Sequence, residues 1–174
     1  MNTTTSTPNP IIFDLIALTK PRVNFLIIFT AIVGMLLAQD FNLNYGLMTY
    51  ASIGIYLAAS AAAVINQIVD QKIDAIMDRT KSRPLIKGNV TAKHAIYFSL
   101  VISMVSTYIL YEFVNTITMI LTLFSIIVYS IIYSVYLKNL TSQNIVIGGI
   151  AGAMPPLLGW TAITNGVSEL PLLL

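Results

Sequence analysis

Four polar side chains recur at every fourth position: Asn66, Asp70, Asp74 and Asp78. On an α-helix this spacing stacks them along one gently drifting face, about 6 Å apart. The residues between them include Ile68, Val69, Ile73, Ile76 and Met77, so the other faces would make hydrophobic contacts. Carboxylates at i,i+4 repel by about 0.2–0.5 kcal/mol per pair, and such a ladder calls for a compensating cation. Mg²⁺ is the natural candidate: it prefers oxygen ligands and is typically held by one or two carboxylates together with phosphate oxygens of a substrate. Arg79, Lys81 and Arg83 follow at once, and guanidinium and ammonium groups suit diphosphate oxygens. The block therefore reads as a Mg²⁺–diphosphate site. Asp70 and Asp74 are its metal ligands, with Asn66 and Asp78 as further candidates, and Arg79, Lys81 and Arg83 bind diphosphate. The competing reading is a solvated loop that only fixes topology, and Lys72, Lys87 and Lys93 fit that better.

The elements that must carry this block are apolar. Of 174 residues 56% are hydrophobic and 9% are charged, against about 25% charged in ordinary proteins. So little charge cannot cover a water-soluble globule of this size, and a disordered chain would be richer in charge and poorer in apolar residues. With no cysteine there is no disulfide or thiolate chemistry, and a net charge of +2 gives no argument for nucleic acid. The fold class expected is an all-α polytopic membrane bundle. Five apolar runs, over residues 21–39, 45–65, 94–111, 114–137 and 144–163, approach or reach the length that crosses a bilayer, about 20 residues. Residues 1–20 read as a polar tail and a short interfacial segment. Pro155 and Pro156 are expected to kink or interrupt the fifth helix. All nine Lys and Arg fall in segments on one side of this arrangement, while Asp40, Glu112 and Glu169 mark the other. By the positive-inside rule the N-terminus and the aspartate-rich loop are cytoplasmic, in the inner membrane of a bacterial cell.

The stretch NQIVDQKIDAIMDRTKSRPL (residues 66–85) resembles the UbiA superfamily of intramembrane prenyltransferases, and in its full length the branch that farnesylates protohaem IX. LTKPRV at 18–23 and YLKNLTSQNIVIGGIAGAMPPLLGW at 136–160 are similar to the same branch. Gln71, Asn139 and Ser142 depart from its usual residues. The resemblance implies a bundle of about nine transmembrane helices around a central cavity, with five in this chain. It also implies transfer of the farnesyl group of farnesyl diphosphate to a vinyl group of haem B, giving haem O. Haem B is then a substrate, Mg²⁺ the cofactor, the bilayer the setting, and a haem A synthase a downstream partner. On this family's pattern Asn66, Asp70 and Asp74 are catalytic through the metal, while Arg79 and Arg83 hold phosphate oxygens. A second aspartate-rich motif, expected after a sixth helix, does not occur in the 174 residues, so the chain is expected to be an N-terminal portion that is inactive alone.

Other residues offer weaker chemistry. Tyr129, Tyr133 and Tyr136 share a helical face and are candidates to line a substrate cavity. Lys138 and Asn144 lie on the same side as the aspartate block. The single histidine, His94, could ligate haem iron but sits where an interfacial histidine needs no function. Trp160 reads as an interfacial anchor, and Gly148, Gly149 and Gly152 as close-packing positions between helices. Three alternatives to the leading function stay open: an aromatic, quinone-precursor acceptor, a divalent-cation carrier, or a non-catalytic membrane assembly partner. The apolar centres of the runs hold no ionisable residue, which a cation pathway commonly needs.

Overall fold

The computed structural model describes residues 11–38, 44–137 and 144–167, and these are helical apart from the turns that join them. Helices α1 (Ile11–Leu18) and α2 (Pro21–Leu37) meet at a 47° bend. Pro21 opens α2, where its fixed φ suits a first helical position, and Lys20 before it takes the left-handed conformation at φ 53°. Helix α3 (Tyr45–Val69) is capped by Asn44, whose side chain accepts from the Leu47 N–H at 3.1 Å. Two short helices follow, α4 (Gln71–Asp74) and α5 (Pro84–Lys87). Helix α6 (Ala92–Phe113) starts at a Thr91 cap, and α7 (Thr116–Ile127) at an Asn115 cap. α7 runs on into a π-helical segment, Val128–Leu137, and α8 spans Asn144–Thr164. Pro155 and Pro156 lie inside α8, and the helix continues through them without interruption. Within a membrane protein the backbone groups freed by proline find other partners.

Tyr45–Val69, Ala92–Phe113 and Thr116–Ser134 are each long and apolar enough to cross a membrane, and the bent pair α1–α2 passes the same test as one unit. Alone, α2 has 17 residues, which is why the first run needs its neighbour. The outward surface is apolar, with Phe25, Phe29, Tyr97 and Met104 all more than 60% exposed. Side chains of that kind massed on the outside belong against lipid. The protein is an integral membrane helical bundle.

α3 is the central helix, packed on α6, α2, α8 and α7. Ser106 of α6 donates to the Gly54 carbonyl of α3 at 2.7 Å. The closest approach joins α2 to α8. A Cβ on Gly34 would run into the backbone of Pro156, and one on Gly159 into the backbone of Ala31. Gly149 and Gly152, expected to pack closely, have open space instead. The small residues that let backbones touch are therefore Gly34 and Gly159.

Candidate active site

The polar block begins on α3 and continues past its end. The Asp70 N–H donates to the Asn66 carbonyl at 3.0 Å and the Asp74 N–H to the Asp70 carbonyl at 2.8 Å. Helical hydrogen bonding thus carries Asn66, Asp70 and Asp74 in one stack. All three are buried, with Asp70 at 7% and Asp74 at 5% exposure. The stack ends there. Thr80, itself buried, turns its hydroxyl back to donate to the Asp74 carbonyl at 2.8 Å, and residues 75–83 form turns. Asp78 therefore leaves the ladder: it is 96% exposed and pairs with Lys81 at 2.7 Å. The period-four spacing that joined Asp78 to the others required a helix that Pro84 and the turns before it do not allow. Arg83, extended ahead of Pro84 (φ −65°, ψ 144°), folds back and forms an ion pair with Asp74. Arg79 is exposed on the same loop.

The loop is pinned from below. Leu85 of α5 is buried in a cluster with Leu18, Val64, Val90 and Ala95. Gly88, at φ 78°, ends α5 in the left-handed conformation that favours glycine. Asn89 donates to the Asp14 carboxylate at 3.1 Å and ties the loop to α1. The α1–α2 bend is held beside the stack. Gln67 donates to the Leu18 carbonyl at 2.6 Å, and Asn24 donates to the Thr19 carbonyl and the Ser60 hydroxyl, each at 2.8 Å. On the other flank Ser134 of the π segment donates to the Asn66 side chain at 3.0 Å.

Next to the stack a cavity of about 440 Å³ opens between α2, α3, α7, the π segment and α8. Its α3 wall is made of Ala58, Ala59, Ala62 and Ala63; a run of small side chains there leaves the space. Lys20, Ala63 and Tyr129 lie at the end towards the stack, and Ile55, Thr122 and Leu158 at the far end. From Ala63 to Ile55 is two helical turns and more, about 12 Å. The Tyr129 ring stacks on Tyr133 at 5.7 Å between centroids. Of the other candidates, Lys138 and the side chains of Tyr136 and Asn144 lie outside the described residues. His94 is exposed and its ring is engaged by the Thr91 hydroxyl at 3.0 Å.

The sequence model of the UbiA prenyltransferase family matches residues 27–174. The chain belongs to the UbiA prenyltransferase family. It is 54% identical over 154 residues to the protoheme IX farnesyltransferase of Alcanivorax borkumensis, covering 87% of this chain and 51% of that one. To the protein of the same name from Hahella chejuensis it is 50% identical over 161 residues, covering 92% and 54%. To that of Legionella pneumophila strain Lens it is 48% identical over 161 residues, covering 92% and 55%. The chain spans about half the length of the curated relatives it matches. No solved structure matches it.

For a UbiA-family chain the donor set here fits Mg²⁺. Asn66, Asp70 and Asp74 offer only oxygen and amide groups, with two buried carboxylates one turn apart. Among the described residues no three carboxylates or histidines gather as one metal site. That leaves coordination positions for water and phosphate oxygen, as Mg²⁺ requires. Sequence reasoning missed Asn24, Gln67, Thr80 and Ser134, whose hydrogen bonds hold the site. One signal was available: polar residues such as Asn24 and Ser134 inside apolar spans must find partners there.

Proposed function

We propose that the protein transfers the farnesyl group of farnesyl diphosphate to a vinyl group of protohaem IX, in the membrane, with the acidic stack facing the cytoplasm. The observation that carries this is the buried Asn66–Asp70–Asp74 stack, with Arg83 on Asp74, opening beside an apolar cavity. The names of the relatives supply the donor and the acceptor. Asp70, Asp74 and Asn66 would hold Mg²⁺, which when bound offsets the charge that grows on the diphosphate as the allylic C–O bond breaks. Arg83 is at hand for phosphate oxygens, and Arg79 and Lys81 line the exposed approach. The bond electrons leave with the diphosphate. The vinyl group bonds to the allylic carbon, and the charge left beside the macrocycle takes up water and loses a proton, giving the hydroxyethylfarnesyl side chain of haem O. The alanine-walled cavity keeps bulk water from the allylic cation. The product suits a haem A synthase acting next.

The test is incubation of the purified protein with radiolabelled farnesyl diphosphate, Mg²⁺ and haem B. We expect label in the haem fraction from the chain extended past Leu174 to the length of its relatives and none from that chain with Asp74→Ala; label from the 174 residues alone would overturn the expectation that they are inactive. Label carried instead by an added 4-hydroxybenzoate or naphthoate would replace the acceptor, and no transfer to any of them would remove the function.

A further inference from the structure

Three large apolar side chains stand exposed just beyond a membrane span, beside the acidic stack. Ile73 is 41%, Ile76 79% and Met77 46% exposed. They follow the end of α3 at Val69, in the same segment as Lys72 and Arg79. Single exposed apolar residues are ordinary, but several gathered on one face and rimmed by charge mark a contact. The face can be traced along the helix, because helical hydrogen bonding runs on past Asp70. The Asp74 N–H donates to the Asp70 carbonyl at 2.8 Å, the Ala75 N–H to the Gln71 carbonyl at 3.2 Å and the Met77 N–H to the Ile73 carbonyl at 3.3 Å.

Ile73, Ile76 and Met77 stand 18 residues after Ile55, Ala58 and Ala59. That interval is about five helical turns and returns a side chain to the same face. Ile55, Ala58 and Ala59 line the cavity. The face of α3 that walls the cavity therefore continues beyond the span as an exposed apolar surface. Ile73 lies between Asp70 and Asp74 in the chain, so this surface begins at the level of the stack. The cavity itself holds about 440 Å³, room for one ligand of drug size, and the prenyl chain takes it. The second substrate must then meet the allylic carbon from the stack end. Lys72 precedes the apolar surface and Arg79 follows it, both exposed.

We propose that this surface docks the acceptor: Ile73, Ile76 and Met77 take the flat apolar body of a haem macrocycle, and Lys72 and Arg79 take its two propionates. This rests on the proposed transfer to protohaem IX. The match is one of shape and charge. Apolar side chains occupy the middle and a cation stands on either side, as a flat apolar molecule with carboxylates along one edge requires. The vinyl groups lie on the edge away from the propionates, so cations that hold the propionates turn the reacting edge towards the cavity. Arg83 stays on Asp74, at the diphosphate.

The test uses mesohaem, in which ethyl groups replace the vinyl groups so that no transfer occurs, its dimethyl ester, and the thiodiphosphate analogue of farnesyl diphosphate. Dissociation constants are measured with Mg²⁺ on the purified chain extended past Leu174 to the length of its relatives. Ile76→Asn combined with Met77→Gln removes apolar contact from exposed positions without adding charge. It should weaken mesohaem by about tenfold or more and leave the thiodiphosphate within about twofold. The unmodified chain should favour mesohaem over its ester by about threefold or more, and Lys72→Gln combined with Arg79→Gln should erase that preference. Unchanged mesohaem binding in the Ile76→Asn, Met77→Gln chain overturns the proposal and leaves the surface to lipid or to another stretch of protein. Equal weakening of mesohaem and thiodiphosphate overturns it too, because the surface then supports the stack and not the acceptor. A preference for the acid that survives loss of both cations removes their role. If the unmodified chain binds the thiodiphosphate but no mesohaem, haem is not the acceptor; the proposed function then falls, and this inference with it.

Discussion

The Ser134 hydroxyl donates to the Asn66 side chain across 3.0 Å and so ties the π segment to the first residue of the acidic stack. The same hydroxyl lies 2.9 Å from the Tyr129 carbonyl, five residues back, a distance along the chain at which the wider π turn brings groups together. Both residues are buried, and removing the hydroxyl leaves Asn66 short of a partner. We expect Ser134→Ala to cost about 1–2 kcal/mol and to raise KM for the prenyl diphosphate more than it lowers kcat. Thermal unfolding in detergent and steady-state kinetics measure the two effects. An unchanged KM would detach the π segment from the site.

Arg83 and Asp74 neutralise each other in a setting where the arginine side chain is 24% and the aspartate 7% exposed. Arg83→Ala strands a buried carboxylate, at a cost of about 1–3 kcal/mol after discounting for the arginine's partial exposure. Arg83→Lys keeps the charge but loses the planar fork that fits carboxylate and phosphate. We therefore expect both variants to bind the diphosphate at least about tenfold more weakly, with the lysine variant retaining most of the stability. Isothermal titration with pyrophosphate and a melting curve on each protein would show whether binding and stability separate in this way.

Asp78 and Lys81 form an exposed pair at 2.7 Å, outside the stack. Exposed pairs of this kind contribute about 0–1 kcal/mol. Asp78→Asn should leave transfer within about twofold of the unmodified protein, in contrast to Asp70→Asn and Asp74→Asn. A loss in Asp78→Asn comparable to theirs would restore Asp78 to the metal site.

At Gly34 and Gly159 the backbones of α2 and α8 touch. Because the obstructing atoms are backbone, the helices must separate to admit a methyl group. Gly34→Ala and Gly159→Ala should each destabilise the bundle by about 1–3 kcal/mol, whereas Gly149→Ala, with open space around it, should melt like the original. Equal melting of all three would mean that the α2–α8 contact is looser than the backbone positions imply.

The helical membrane fold was legible because low charge and long apolar runs admit few other outcomes. So was the family, through the Asn66–Asp74 pattern and its continuation to Pro84. The end of the ladder was harder to read. Spacing alone extends a helix indefinitely, and only the turns that Thr80 closes, together with the extended backbone that Pro84 imposes on Arg83, show where it stops. The glycines misled for a related reason. Gly149 and Gly152 lie close together in the sequence, but close packing is decided by what faces a residue across the interface, and it is Gly34 and Gly159 that meet backbone; the surroundings of Gly148 lie outside the described residues. The cavity was not foreseen in shape, since it depends on four alanines of α3 facing Thr122 and Tyr129 across the bundle.

The most direct measurement is the mass of the haems extracted from membranes of a cell that makes no haem O of its own. The cell expresses the chain extended past Leu174 to the length of its relatives, with or without Asp70→Ala, and the membranes are supplied with farnesyl diphosphate and Mg²⁺. We expect a haem heavier than haem B by a farnesyl group and a hydroxyl group, formed by the unmodified protein and missing with Asp70→Ala. The same product at undiminished yield from Asp70→Ala would contradict the role given to the acidic stack.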